Sequence, residues 1–163
     1  MPRRTTAPPA GRDSGYVDLR SYGAVGDGRT VALIAEDGSV DWLPVPSLDS
    51  IPVFARLLDA EGGGAIVLAP VEEFTVSRRY VEATNVLETT FTTGSGVARV
   101  TDALVTGVAG RLPWVELARR IEGVSGDVKF RWKVAPGSRL GTASPWIDVT
   151  THGPEPQIGR AHV

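Results

Sequence analysis

Apolar and polar residues alternate with a period of two along several segments of this chain, and 19 glycines and 12 prolines cut it into short segments of the length strands prefer. The first strong signal is TVALIAEDGSVDWL: an apolar run from Val31 to Ala35, the pair Asp37-Gly38, then Val40 to Leu43. An Asp-Gly pair tolerates the positive φ angles of a two-residue turn, so the segment predicts a β-hairpin. Between Pro52 and Ala60 the pattern changes. Val53, Phe54, Leu57 and Leu58 fall at i, i+1, i+4 and i+5, which predicts one short helix, capped by Asp49 or Ser50 and ended by the glycines at 62, 63 and 64. A strand is expected over residues 65–69, and another from Phe74, where Val76 and Tyr80 share a side that Arg78 interrupts. Leu87, Thr89 and Phe91 then face Ala98, Val100, Asp102 and Leu104 across the turn Gly94-Ser95-Gly96, a second hairpin with one dry face.

Two further strands follow. Val115, Leu117 and Ile121 mark one; in the other Val128, Phe130, Trp132 and Val134 alternate with Lys129, Arg131 and Lys133, which places Trp132 in the core. A last short candidate is PWIDVT, residues 145–150. Antiparallel strands that are apolar on one side only must cover that side with a second sheet. The expected fold is all-β, an antiparallel β-sandwich with one short helix.

Composition narrows the functional classes. With 163 residues the chain fits one domain, and 17 Lys plus Arg against 19 Asp plus Glu give a net charge of −2, so there is no basic field for nucleic acid. Cysteine is absent and the two histidines, His152 and His162, stand outside any ligand-spaced cluster; no metal and no other cofactor is expected. Residues 1–18 carry positive charge without the apolar run of about 7–15 residues that a signal peptide needs, so they read as a flexible tail of a cytoplasmic protein. No stretch approaches the roughly 20 apolar residues of a membrane span. Residues 19–151 are assigned to the sandwich and 152–163 to a disordered end. Within that end IGRAHV, residues 158–163, corresponds to one reading frame of a common sequencing-adapter oligonucleotide and is read as an artefact, so the natural protein is expected to continue.

Candidate chemistry is sparse. GAVGDGRT, residues 23–30, lacks the spacing of a phosphate-binding loop, and there is no G-x-S-x-G nucleophile elbow. Adjacent Glu72 and Glu73 would point to opposite faces of an extended segment and read as solvated. Asp41, Asp49 and Asp102 stand in apolar surroundings. Asp102 continues one apolar strand face and Arg119 interrupts another, and an isolated buried charge is costly, so Asp102 is expected to pair with Arg119 or Arg120. Lys129, Arg131 and Lys133 read as a wet strand face. Trp42, Trp114 and Trp146, near strand ends, are the flat apolar surfaces on which a sugar ring could lie.

The segments YGAVGDGRTVALIAEDGSVDWLPVPSLDSIPVFARLLD, SRRYVEATNVLETTFTTGSGVARVTDAL and ARRIEGVSGDV, above all D-G-S-V-D-W, F-A-R-L-L-D and N-V-L-E-T-T-F, resemble the trehalase-like N-terminal domain of glycoside hydrolase family 15. The resemblance implies a sandwich in front of a helical (α/α)6 barrel that hydrolyses α-glucosidic bonds with inversion. It also implies that the two catalytic glutamates lie in that barrel, because no position here matches them. Asp41, Trp42 and Asp49 become candidates for substrate-rim or interdomain contacts. The expected partners are the missing catalytic domain and an α-glucoside or oligosaccharide, with this chain alone inactive. The alternative is a free-standing carbohydrate-binding module.

Overall fold

The computed structural model describes residues 11–106 and 114–143. Among the described residues, ten strands follow a 3-10 turn at Leu19–Ser21: β1 (Gly23–Gly26), β2 (Val31–Ile34), β3 (Val40–Pro44), β4 (Pro52–Phe54), β5 (Gly64–Pro70), β6 (Phe74–Tyr80), β7 (Leu87–Thr93), β8 (Gly96–Leu104), β9 (Leu117–Gly126) and β10 (Phe130–Pro136). They form two antiparallel sheets. One has the order β1-β2-β3-β5-β10 with β4 also on β3; the other is the meander β6-β7-β8-β9. The architecture is a β-sandwich. Among the described residues no helix is long and apolar enough to cross a membrane.

The period-two pattern explains the packing. Val25, Ile34, Val40, Leu43 and Phe54 from the larger sheet meet Leu87 and Leu104 from the meander in one buried cluster. Leu68, Val76, Phe91 and Val100 form a second. Phe91 is fully buried and takes edge-to-face contacts from Phe74 and Phe130, with ring centroids 5.3 Å and 5.9 Å away. Burying such a ring contributes about 2–3 kcal/mol, and this one joins β6, β7 and β10.

Several expectations are corrected. The short helix over Pro52–Ala60 is absent: Pro52–Phe54 is strand β4 on the edge of β3, where Phe54 is buried, and the chain then turns so that Ala55 N bonds Gly63 O and Asp59 Oδ1 accepts from Gly62 N. Phe54 finds its apolar contacts in the sandwich core, so the helical spacing to Leu57 and Leu58 is not used. The first hairpin has a three-residue loop, since Ala35 N bonds Ser39 O and Gly38 adopts φ 83°. A Cβ on Gly38 would lie 2.2 Å from Leu68 O, so this position needs glycine for space as well as for φ. Trp132 does lie on the apolar face of β10, but it is 50% exposed rather than a core residue, because β10 is the last strand of its sheet. Residues 11–18, placed in the tail by sequence, are tied down through Arg12 and a bridge between Asp13 and Tyr16. The expectations for residues 1–10, for PWIDVT with Trp146, for the two histidines and for 152–163 fall outside the described residues.

A saturated carboxylate centre and its surroundings

Asp41 is the most constrained polar residue of the fold. Leu33 pairs with Trp42 while the next residue, Ile34, pairs with Val40, so Asp41 is the extra residue of a β-bulge in β3. A bulge re-aims its side chain, and here the carboxylate is wholly buried. Its Oδ1 accepts from Arg56 Nε at 2.8 Å and Nη2 at 2.5 Å; its Oδ2 accepts from Arg12 Nη2 at 2.9 Å and Tyr22 Oη at 2.8 Å. The main-chain oxygen accepts from Leu57 N. Four donors fill the lone-pair positions of a carboxylate.

Arg12 also donates from Nε to Asp37 Oδ2 at 2.7 Å, tying the segment before β1 to the first hairpin loop. Burial works against the Arg12 charge, but the hydrogen bond and charge of Asp37, and then Asp41, outweigh it and hold the guanidinium above its ordinary value. Burial likewise works against the Asp37 charge, yet the hydrogen bond from Arg12 prevails and its carboxyl is held below the usual range. Burial, followed by the bond to Asp41, pushes the Tyr22 phenol well above its ordinary value.

A second buried carboxylate sits between β8 and β9. Asp102 is directly opposite Arg119 in the ladder and accepts from its Nε at 2.6 Å and Nη2 at 3.2 Å; that Nη2 also donates to Gly38 O at 2.7 Å, in the loop between β2 and β3. Arg120 points to solvent and pairs with Glu122. Alternation alone separates the two arginines, since neighbours on a strand face opposite ways.

The remaining candidates are dispersed. Trp42 is half-buried next to Asp41, Asp49 is exposed and accepts from Ser47 Oγ at 2.6 Å, and Trp114 is exposed with its carbonyl accepting from Arg29. Glu72 and Glu73 line one open cleft with Phe74 and Thr92, where Glu72 accepts from Ser95 Oγ. Among the described residues, no three or more His, Cys, Asp and Glu side chains are grouped to hold a metal. Arg12, Tyr22 and Arg56, the partners of Asp41, escaped the sequence reading. The only signal was an aspartate inside an apolar strand, which demands a counter-charge but does not say from where.

This geometry defines a β-sandwich domain whose two buried carboxylates are consumed in holding it together. The chain belongs to the family described as trehalase-like, N-terminal, whose model matches residues 10–154. It is 31% identical over 142 residues to a trehalase of Thermoplasma volcanium, covering 85% of this chain and 23% of that protein. It is 40% identical over 130 residues to trehalase 1 of Sulfolobus acidocaldarius, covering 79% and 21%, and 40% identical over 106 residues to a trehalase of Mycolicibacterium smegmatis, covering 64% and 15%. The chain thus spans less than a quarter of the length of these relatives. No solved structure matches it.

Proposed function

We propose that this sandwich is the non-catalytic N-terminal domain of a trehalase-type enzyme of glycoside hydrolase family 15, acting with inversion on an α-glucosidic bond. The acid and the base then belong to polypeptide outside this chain, and the sandwich supports that part. The observation that carries the reading is the saturation of Asp41, beside the pairing of the other buried carboxylate, Asp102, with Nε and Nη2 of Arg119. Inverting hydrolysis needs one carboxyl that can give a proton to the leaving oxygen and another that can take one from water, about 6.5–9.5 Å apart across an open cleft. A carboxylate with four donors on it does neither. The coverage of the trehalases, confined to a minor share of their length, supports the same reading.

The test is an assay of the purified chain on trehalose and maltose beside the full-length protein. The chain alone should release no glucose above the buffer rate, while the full-length protein should turn over. Hydrolysis by the chain itself would overturn the proposal. Titration with the same sugars, followed by tryptophan fluorescence, separates it from a free-standing carbohydrate-binding module, which would show saturable binding lost on Trp114→Ala or Trp42→Ala.

A further inference from the structure

The outer face of the larger sheet carries a cleft of about 560 Å³ into which four cations converge from three separate segments. Arg131 and Lys133 stand on β10, opposite Ala69 and Val67 of β5. Arg12 comes from the segment before β1, and Arg56 from the turn after β4. Val67 and Phe74 line the same hollow.

The four charges differ in standing. Arg12 and Arg56 are answered by Asp37 and Asp41, which between them accept from Nε and Nη2 of both guanidinium groups. The side chains of Arg131 and Lys133 are exposed and meet no acceptor among the described residues, and Arg56 Nη1 is likewise uncommitted. Asp41 cannot serve them, since its lone-pair positions are already filled. The cleft therefore keeps two positive charges beyond its carboxylates, on a chain whose net charge is −2. Cations on an edge strand commonly keep other strands away. That accounts for Arg131 and Lys133 on β10 but not for their sharing one hollow with Arg12 and Arg56. Same-face neighbours on a strand lie about 6.6–6.8 Å apart, and two charge-assisted bonds of about 2.7–2.9 Å let one oxyanion bridge that interval. A hollow with two unanswered charges favours a doubly charged group over a single carboxylate.

We propose that this cleft binds a doubly charged oxyanion, a phosphate or sulfate group, held between Arg131 and Lys133 with Arg56 Nη1 as a third donor. Nothing in this site depends on the proposed function, and binding can be read without any activity.

Sodium sulfate at about 10 mM should raise the melting temperature of the chain by about 2–4 °C over sodium chloride of equal ionic strength. Inorganic phosphate at about pH 8, where it is doubly charged, should do the same. Glucose 6-phosphate separates the sources. A shift larger than that of inorganic phosphate means a group carried on an organic body that lies over Val67 and Phe74; an equal or smaller one means the free ion. Arg131→Ala/Lys133→Ala should abolish the shift, while Arg20→Ala/Arg120→Ala, which removes two exposed cations elsewhere, should keep it. A shift that survives in the first variant, or that chloride reproduces, would overturn the proposal. If that variant does not fold, calorimetric titration of Lys133→Gln with sulfate decides: affinity should fall about fivefold or more, and an unchanged affinity would count against the site.

Discussion

At the scale of single residues, the fold turns on charges placed where water cannot reach. Asp41 holds two guanidinium groups and a phenol on one carboxylate. Asp41→Asn keeps the shape but leaves Arg12 and Arg56 facing a neutral amide, half of which is a donor. Breaking a buried ion pair from one side costs about 3–5 kcal/mol, and urea denaturation should show a loss near that size. Tyr22 carries a second, pH-dependent consequence. Its folded pKa lies above the unfolded value of about 10, so stability is fully present below about pH 10 and declines as pH rises further, because the unfolded chain then gives up a proton that the folded one keeps. Denaturation midpoints between pH 8 and pH 11 should show this decline, and Tyr22→Phe should flatten it. Gly38→Ala faces both the unfavourable φ of 83° and the approach of Leu68 O. It should destabilise by about 2 kcal/mol or more.

At the scale of elements, strands were legible wherever one side is buried and the other wet. Leu87, Thr89 and Phe91 against Ala98, Val100 and Asp102 announce β7 and β8 because both strands lie inside their sheet. The sequence misled where two structures share a spacing. Val53, Phe54, Leu57 and Leu58 fit a helical face, but a strand that buries Phe54 followed by a turn places the same residues equally well. Trp132 misled for a different reason: alternation reveals which side of a strand is apolar, not whether anything covers it. The Asp41 partners were hidden because they come from positions 15 to 29 residues away, brought in by a bulge that leaves no mark in the pattern. The segment before β1 has its own acid sensitivity. The folded pKa of Asp37 is depressed, so the Arg12–Asp37 tie is present above about pH 4, the unfolded value, and is lost as pH falls through the lower folded one. Amide protection over residues 12–17, taken relative to the intrinsic exchange rate at each pH, should fall at pH 3 compared with pH 6, ahead of any change in β7 and β8.

At the scale of the whole molecule, the two sheets are built from very different separations along the chain. Every neighbour pair in β6-β7-β8-β9 is consecutive, whereas β5 must wait for β10, with Gly64 opposite Pro136. Closing short loops is entropically cheaper and faster than closing long ones. The meander is therefore expected to organise first and to offer Phe91 as the surface on which the larger sheet assembles, with β10 arriving last. Stopped-flow measurements would expose the order. Val100→Ala, in the middle of the meander, should slow refolding, whereas Val134→Ala on β10 should leave the refolding rate nearly unchanged and accelerate unfolding. The late arrival of β10 makes its seam with β5 the place where the native state first comes apart under load.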